Sequence, residues 1–331
     1  MSDKTIRVAV VGVGDFGRNH VRVYRELPGV ELAGVVDINA GRAKAVADEF
    51  AAQVFPDVAA LAGRVEAVSL AVPTVEHARV GCQLLEQGID LLVEKPVAAS
   101  LEEADALIAA AKRAGRILQV GHLERFNPAI VAAQKIVTRP LFFEIHRLGV
   151  FSPRSLDVDV IYDLMIHDLD ILLALLDSPV ADLRAVGIPV MTDKVDIAHA
   201  RIEFASGAVA NLTASRVSTE KVRKMRFFQE HEYISLDFTR QDVLRVRVQP
   251  GSPLTHAGEP RVDFEKVPAE PVEPLRAELR AFLDSVRTRR PPRVDGVAAR
   301  RALELADQVM AGILDHARRV QLGAFAPQGS R

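Results

Sequence analysis

Arg7-Val8-Ala9-Val10-Val11-Gly12-Val13-Gly14-Asp15-Phe16-Gly17 is an apolar strand that runs straight into a G-x-G-x-x-G turn. Each glycine has its own physical reason. Gly12 permits the tight turn, Gly14 lets the backbone approach a pyrophosphate, and Gly17 lets the following helix lie close to its strand. The helix then offers its N-terminus, at Asp15 and Phe16, to the phosphates. The context that the motif needs is present, because a β-type run precedes it and a helical segment, Phe16 to Leu27, follows it. A second apolar run, Val30 to Val36, ends in Asp37, about twenty residues past Gly17. A carboxylate at that point accepts hydrogen bonds from an adenosine ribose and repels a 2′-phosphate. The turn therefore predicts a dinucleotide site with NAD preferred over NADP, and Arg42 is the nearby group that works against that preference. The alternative is a glycine turn with a merely solvated Asp37.

Working outward, strand and helix patterns alternate through the first third of the chain. After Val30 to Val36 come a helix at Gly41 to Glu49, a strand at Val65 to Val72, a helix at Glu76 to Gln87 and a short buried strand at Leu91 to Val93. Leu101 to Ala114 is a helix opened by Ser100 as N-cap with Glu103 three residues on, and Ile117 to Val120 is a further strand. Such alternation implies an α/β fold whose parallel sheet is covered on both faces. The nucleotide domain is expected to span residues 1–121.

Beyond Gly121 the pattern changes to alternating strands at Phe142 to Val150, Ala181 to Pro189, Ala198 to Phe204, Ala208 to Val217, Val222 to Gln229, Glu232 to Phe238 and Val243 to Val248. These predict a mostly antiparallel sheet, with turns at Ser206-Gly207 and Glu230-His231. One helix, Val158 to Leu176, interrupts the strands. Two more, Val272 to Arg287 and Val297 to Val320, follow them, the last capped by Asp295. The expected second, α+β domain is 122–322. Pro250 to Pro260 reads as a Pro/Gly-rich loop and 323–331 as a frayed tail.

The 331 residues suffice for two domains with substantial cores, and a formal net charge of −2 with interspersed signs gives no electrostatic case for nucleic acid or an acidic membrane surface. Cys82 is the single cysteine, and no His/Cys group has zinc-ligand spacing, which predicts a reducing, cytoplasmic setting with no metal. The first strand starts too early to leave room for a signal peptide, and no apolar run is long enough to cross a bilayer.

Two constellations carry the chemistry. Val93-Glu94-Lys95-Pro96 puts a lysine at the C-terminal end of a strand, where open α/β sheets place their ligand crevice. Lys95 is there suited to donate a hydrogen bond or a proton to a reacting oxygen, and Glu94 lies beside it. The alternative is a solvated lysine in a turn. In Tyr162-Asp163-Leu164-Met165-Ile166-His167-Asp168-Leu169-Asp170, the residues Asp163, His167 and Asp170 fall at i, i+4 and i+7 and so are expected on one helix face. An imidazole can take a proton from a hydroxyl near neutral pH while a carboxylate orients it. A capping histidine on a solvated acidic face is the bland alternative. Val72, Pro73, Thr74 and His77 follow the Val65 to Val72 strand and, with Glu94 and Lys95, are candidates to line the cofactor crevice. His122, Glu124, Arg125 and Asn127 follow the last strand of the nucleotide domain. Arg154 precedes the His167 helix, where a guanidinium can bind an anionic substrate group bidentately. The basic cluster Arg216, Lys221, Arg223, Lys224 and Arg226 reads mainly as the solvated side of edge strands.

In order and spacing, the glycine turn, Asp37, Ala71 to His77, Glu94-Lys95-Pro96, Asp163 with His167, and Pro292-Arg293-Val294-Asp295-Gly296 resemble the Gfo/Idh/MocA oxidoreductases over essentially the whole chain. The resemblance implies a Rossmann domain joined to a large open, mostly antiparallel sheet that commonly forms an oligomer interface, here giving a homodimer or homotetramer. It also implies NAD(P)-dependent chemistry at sugar or cyclitol hydroxyls, with Lys95, Asp163 and His167 catalytic. Gly121-His122-Leu123-Glu124-Arg125-Phe126-Asn127-Pro128 and Asp163 to Asp168 look like the branch whose members oxidise the C3 hydroxyl of UDP-N-acetylglucosamine. In that branch an aminotransferase partner aminates the ketone for lipid A or related glycans. The substrate contacts implied are Lys95, Arg125, Asn127, Arg154 and His167. Two other readings stay open: a dehydrogenase of a free sugar or inositol, and a noncatalytic NAD-binding sensor.

Overall fold

In the computed structural model, which describes residues 5–152, 158–248 and 262–322, the run ahead of the glycine turn is an inner strand of a six-stranded parallel sheet. Its elements are β1 (Ile6–Val11), α1 (Asp15–Glu26), β2 (Val30–Val36), α2 (Ala40–Phe50), β3 (Gln53–Val54), β4 (Ala67–Leu70), α3 (His77–Glu86), β5 (Asp90–Glu94), α4 (Leu101–Ala114) and β6 (Leu118–Gly121). The strand order β3-β2-β1-β4-β5-β6 reverses direction at β1 and β4. Ligands bind in such sheets at that reversal, outside the strands' carboxyl ends. The boundary of α4 follows from its caps: Ser100 Oγ accepts from Glu103 N at 3.2 Å, Glu103 Oε2 accepts from Ala99 N at 3.0 Å, and Gly115 ends the helix at φ +61°.

A second sheet has the order β14-β13-β12-β11-β7-β10-β9-β8. The elements of this part of the chain are α5 (Pro128–Ala133), β7 (Pro140–Leu148), a π-helical turn at Ile161–Met165, α6 (Ile166–Leu175), β8 (Val180–Ile188), β9 (Ile197–Phe204), β10 (Val209–Ser215), β11 (Val222–Gln229), β12 (Glu232–Asp237), β13 (Asp242–Val248) and β14 (Val262–Val267). Every pairing is antiparallel except β7 with β10. The expected turns are in place, with Gly207 at φ +86° and His231 at φ +59°. Period-two patterning sorts the faces: Phe143, Ile145, Met225 and Phe227 are buried on one, whereas Phe142, His146, Lys224 and Phe228 lie on the other.

The chain closes with α7 (Pro274–Thr288) and α8 (Gly296–Arg319), whose start is capped by Asp295 Oδ1 accepting from Ala298 N at 2.8 Å. Two compact units result: residues up to 126 with 273–303, and residues 127–272 with 304 onward. The sequence reading leaves 273–303 with the second domain, whereas its contacts are with the first. Leu279, Phe282, Leu283 and Val286 of α7 enter the core that holds Val8, Val10, Val21, Tyr24 and Leu32. Apolar patterning along α7 shows that one face is buried without showing against which sheet.

Other differences are local. The two-residue β3, α5 and β14 are not anticipated. The basic cluster's strand, β11, lies between β12 and β7 and is not an edge, and Arg216 is buried with its guanidinium on Val158 O. The expected Pro250 to Pro260 loop, the tail from Gly323 and Arg154 fall outside the described residues. Among the described residues, no helix is long and apolar enough to cross a membrane, and no cluster of three or more His, Cys, Asp or Glu could hold a metal.

Candidate active site

The glycine turn is built by exclusion. Gly12 sits at φ +82°, and a Cβ there would lie 2.5 Å from Ala71 O. A Cβ on Gly17 would lie 1.8 Å from Gly12 O, so the close approach of α1 to β1 requires hydrogen at that position. Gly14 differs, because a Cβ there would meet nothing within 4 Å, and no side chain caps the helix that it opens. The open space above Gly14 and the uncapped N-terminus of α1 fit a pyrophosphate, which the first backbone N–H groups can bind. Asp15 and Phe16 follow, both exposed.

Asp37 closes the other side of the turn. Its Oδ2 accepts from Val13 N at 2.8 Å and from Arg42 Nε at 2.9 Å, and its Oδ1 accepts from Asn39 N and from Arg42 Nη2, both at 2.8 Å. Burial pushes the carboxyl up, but the hydrogen bonds from Arg42, Asn39 and Val13 outweigh it and hold Asp37 below its ordinary value. Arg42 is accordingly placed on the carboxylate itself.

Lys95 directly follows β5, half-buried, and precedes the buried Pro96 across a cis bond. The preceding Glu94 is only 7% exposed, and its Oε1 lies 2.9 Å from Nε2 of His20, a residue of α1 that is fully buried. A Cβ on Gly121 would lie 2.9 Å from that carboxyl group, so the glycine at the end of β6 makes room for it. Desolvation opposes the charge on Glu94, but the His20 hydrogen bond and nearby positive charges hold its pKa below the ordinary value. Val72, Pro73 and Thr74 run from β4 toward α3. His77 ties this loop to the next, with Nδ1 2.9 Å from Pro96 O and Nε2 3.0 Å from Val72 O. Burial holds His77 below the usual imidazole value, so the neutral ring donates to one of the two carbonyls. Glu94 and His77, expected to line the crevice, thus have their polar atoms turned to the chain. Sequence reading gives no part here to His20, nor to the missing side chain of Gly121. The signal for His20 is its place three residues after Gly17, on the stripe of α1 that also buries Val21, Val23 and Tyr24.

Arg125 is half-buried in a 3₁₀ turn, Leu123–Phe126. Asn127 is 2% exposed; its Oδ1 accepts from Ala129 N and its Nδ2 donates to Phe238 O, both at 3.0 Å. It is the N-cap of α5, with both ends of its amide engaged.

The second unit holds Asp163 and His167, but not on one regular helix. Asp163 lies in the π-helical turn and His167 in α6, so the helical geometry changes between them. π-Helical turns of this kind recur at functional sites. The turn is fastened by Tyr162, whose hydroxyl donates to Asp307 Oδ1 at 2.8 Å. The acid-imidazole stripe is more deeply placed than expected, with His167 at 8% and Asp170 at 2% exposure. Asp168, not singled out in the sequence, anchors α6 to the sheet. It accepts a two-point contact from Arg147 of β7, Nε to Oδ2 at 2.8 Å and Nη2 to Oδ1 at 2.7 Å, with the guanidinium 5.2 Å from the Phe238 ring centroid.

A strand-turn-helix with an uncapped helix N-terminus and a carboxylate at the end of the next strand, on a sheet of this order, is a dinucleotide fold. Residues 6–122 match the model of the "Oxidoreductase family, NAD-binding Rossmann fold", and residues 146–234 match that of the "GFO/IDH/MocA C-terminal domain". The chain belongs to the Gfo/Idh/MocA oxidoreductase family. Its Rossmann unit is the NAD-binding part, and the Gly12 to Gly17 turn lies within the matched residues. Among curated relatives of this Gfo/Idh/MocA chain, the UDP-N-acetylglucosamine 3-dehydrogenase of Acidithiobacillus ferrooxidans is 42% identical over 309 residues, 93% of this chain and 97% of that one. A solved structure of the Acidithiobacillus ferrooxidans enzyme superposes with a TM-score of 0.87 at 41% identity, covering 93% of this chain and 97% of that one. The scyllo-inositol 2-dehydrogenase (NAD(+)) of Bacillus subtilis is 31% identical over 232 residues, 64% of this chain and 68% of that one.

Proposed function

We propose that this oxidoreductase oxidises the C3 hydroxyl of UDP-N-acetylglucosamine to a ketone with NAD. The observation that carries the reading is the 42% identity to a UDP-N-acetylglucosamine 3-dehydrogenase over 97% of that relative, against the shorter and weaker match to an inositol dehydrogenase. When bound, NAD supplies the acceptor for the C3 hydride. His167 takes the hydroxyl proton, Asp163 orients the base, and Lys95 stabilises the developing alkoxide; Lys95 and His167 can exchange these roles. Glu94, His20 and His77 position the strand end that carries Lys95, and do not touch substrate. Asn127 serves as a cap, while Arg125 and Arg154 are the groups for the diphosphate.

A 3-keto nucleotide sugar is the substrate of a transaminating enzyme, and we place an aminotransferase next in the sequence of reactions, toward lipid A or a related glycan in the cytoplasm. The outer face of the second sheet carries Phe142, Phe228 and Tyr233 in a half-buried aromatic cluster, with ring centroids 5.7 and 5.0 Å apart. That face is the surface for a homodimer or homotetramer. The reaction is tested with UDP-N-acetylglucosamine deuterated at C3. Deuterium appearing in the reduced cofactor identifies C3 as the oxidised carbon, and a reduced cofactor free of deuterium contradicts the assignment.

A further inference from the structure

One member of the basic cluster is not a surface cation. Arg216 is buried just after β10, where its guanidinium donates to Val158 O and its Nε lies 3.7 Å from Asp196 Oδ1. Asp196 is fully buried just ahead of β9 and gathers the loop that follows β8. Its Oδ2 accepts from the N–H groups of Val190, Met191 and Thr192 at 2.8, 2.7 and 2.9 Å, and its Oδ1 accepts from Thr192 Oγ1 at 2.7 Å. Burial pushes this carboxyl up, but those donors outweigh it and hold Asp196 below its ordinary value, an anion beside Arg216. Val195, next to it in the chain, is tied to the start of the His167 helix. Its N–H donates to Asp159 Oδ1 at 2.8 Å, and its carbonyl accepts from Val160 N at 3.0 Å. Asp159 carries these ties forward, because its own carbonyl accepts from Tyr162 N at 3.1 Å and from Asp163 N at 3.2 Å. The π-helical turn begins at this point and closes with Ile166 N donating to Ile161 O. Such turns are rare and short. A buried ion pair is weak evidence for stability, since desolvation offsets much of its attraction, and its best-attested use is to hold one arrangement among several. Here the pair holds the main chain of residues 158–160 against the loop between β8 and β9.

We propose that Asp159, braced by Arg216 and Asp196, is a positioning residue for the reaction: it fixes the π-helical turn and so sets where Asp163 stands relative to His167. The inference rests on the roles proposed for Asp163 and His167, and not on which sugar is bound. His167 is next to Asp168, which Arg147 seats on the sheet independently of this clamp. Relaxation of the turn therefore displaces Asp163 while α6 stays in place, and the orientation of the base is lost without loss of the fold.

The test compares full-length wild type with Asp159→Ala and with Asp159→Asn, which keeps an oxygen acceptor for Val195 N. NADH formation from NAD and UDP-N-acetylglucosamine is followed with an aminotransferase and glutamate drawing off the ketone. Asp159→Ala is expected to lower kcat by about 10–10²-fold, the scale of a small misplacement of reacting groups, with KM and NAD affinity each held within about twofold. Asp159→Asn is expected to restore kcat to within about threefold of wild type. Arg216→Gln loosens the same clamp from its other side and is expected to show the same split, at about tenfold in kcat. Hydrogen exchange of segment 158–167 is expected to be about fivefold faster in Asp159→Ala, the scale of one lost hydrogen bond, and unchanged in segment 6–36. An Asp159→Ala kcat equal to that of wild type, an Asp159→Asn protein as slow as Asp159→Ala, or a KM that rises while kcat holds overturns the inference. Wild type silent with UDP-N-acetylglucosamine counts against the proposed substrate alone. The exchange measurement needs no sugar and still decides, because equal exchange of segment 158–167 in wild type and Asp159→Ala overturns the inference.

Discussion

The glycine turn and the His167 helix teach different lessons about how a site is made. The turn is a backbone object: Gly12 and Gly17 are fixed by what a Cβ would strike, Gly14 leaves open space at a helix N-terminus, and Asp37 is fixed by the Val13 N–H it accepts. The helix site is a side-chain object. Its helix is held by partners from distant parts of the chain, Arg147 of β7 on Asp168 and Asp307 of α8 on the Tyr162 hydroxyl. The glycine turn is therefore fixed by the shape of its main chain, whereas the helix that carries His167 is seated by buried side-chain pairs.

The sharpest separation is between chemistry and binding. Lys95→Ala and His167→Asn are each expected to lower single-turnover NADH formation by about 10²–10⁴-fold, with NAD affinity little changed by titration. Loss of NAD binding in either variant would break the division of labour. Next in size is the buried pair that seats α6. Arg147→Met strands the Asp168 carboxylate and is expected to cost roughly 3–5 kcal/mol in urea unfolding, most of it recovered in the Arg147→Met, Asp168→Leu double variant. Turnover in that double variant reports whether the pair only holds the helix or also fixes the His167 geometry.

Two alanines then sharpen the account of the turn. Gly17→Ala drives a Cβ into Gly12 O and is expected to destabilise the fold by roughly 1–3 kcal/mol. Gly14→Ala enters open space and is expected to leave unfolding unchanged while weakening NAD. The smallest effect is a slope. Burial holds His77 below its unfolded value near 6.5, so the stability it contributes is complete above that pH and is lost as pH falls through it toward the lower folded value. Melting of His77→Gln is expected to depend less on pH between 7.5 and 5.5 than melting of wild type, and an equal slope would remove the buried neutral imidazole from the account.

The legibility of the site in sequence follows the same division. Gly12, Gly14, Gly17 and Asp37 are readable because their spacing is set by one local turn and one strand. The caps at Ser100 and Asp295 are readable because a cap and its helix are neighbours in the chain. The parallel first sheet and the mostly antiparallel second follow from apolar periodicity and turn residues. What periodicity does not carry is the destination of a buried face. The allegiance of α7, the His20–Glu94 pair and the Arg147–Asp168 pair all join residues far apart in sequence. The π-helical turn at Ile161–Met165 has no signal in a pattern that counts residues at 3.6 per turn. Arg42 is visible as a cation near Asp37, but only the geometry shows that it occupies both carboxylate oxygens.

The most direct test of the central claim is NADH absorbance on mixing the pure protein with NAD and UDP-N-acetylglucosamine, with N-acetylglucosamine, inositol and glucose assayed separately, and an aminotransferase with glutamate present to draw off the ketone. The account predicts NADH with the nucleotide sugar and none with the free sugars or the cyclitol. NADH with inositol but not with UDP-N-acetylglucosamine would contradict it.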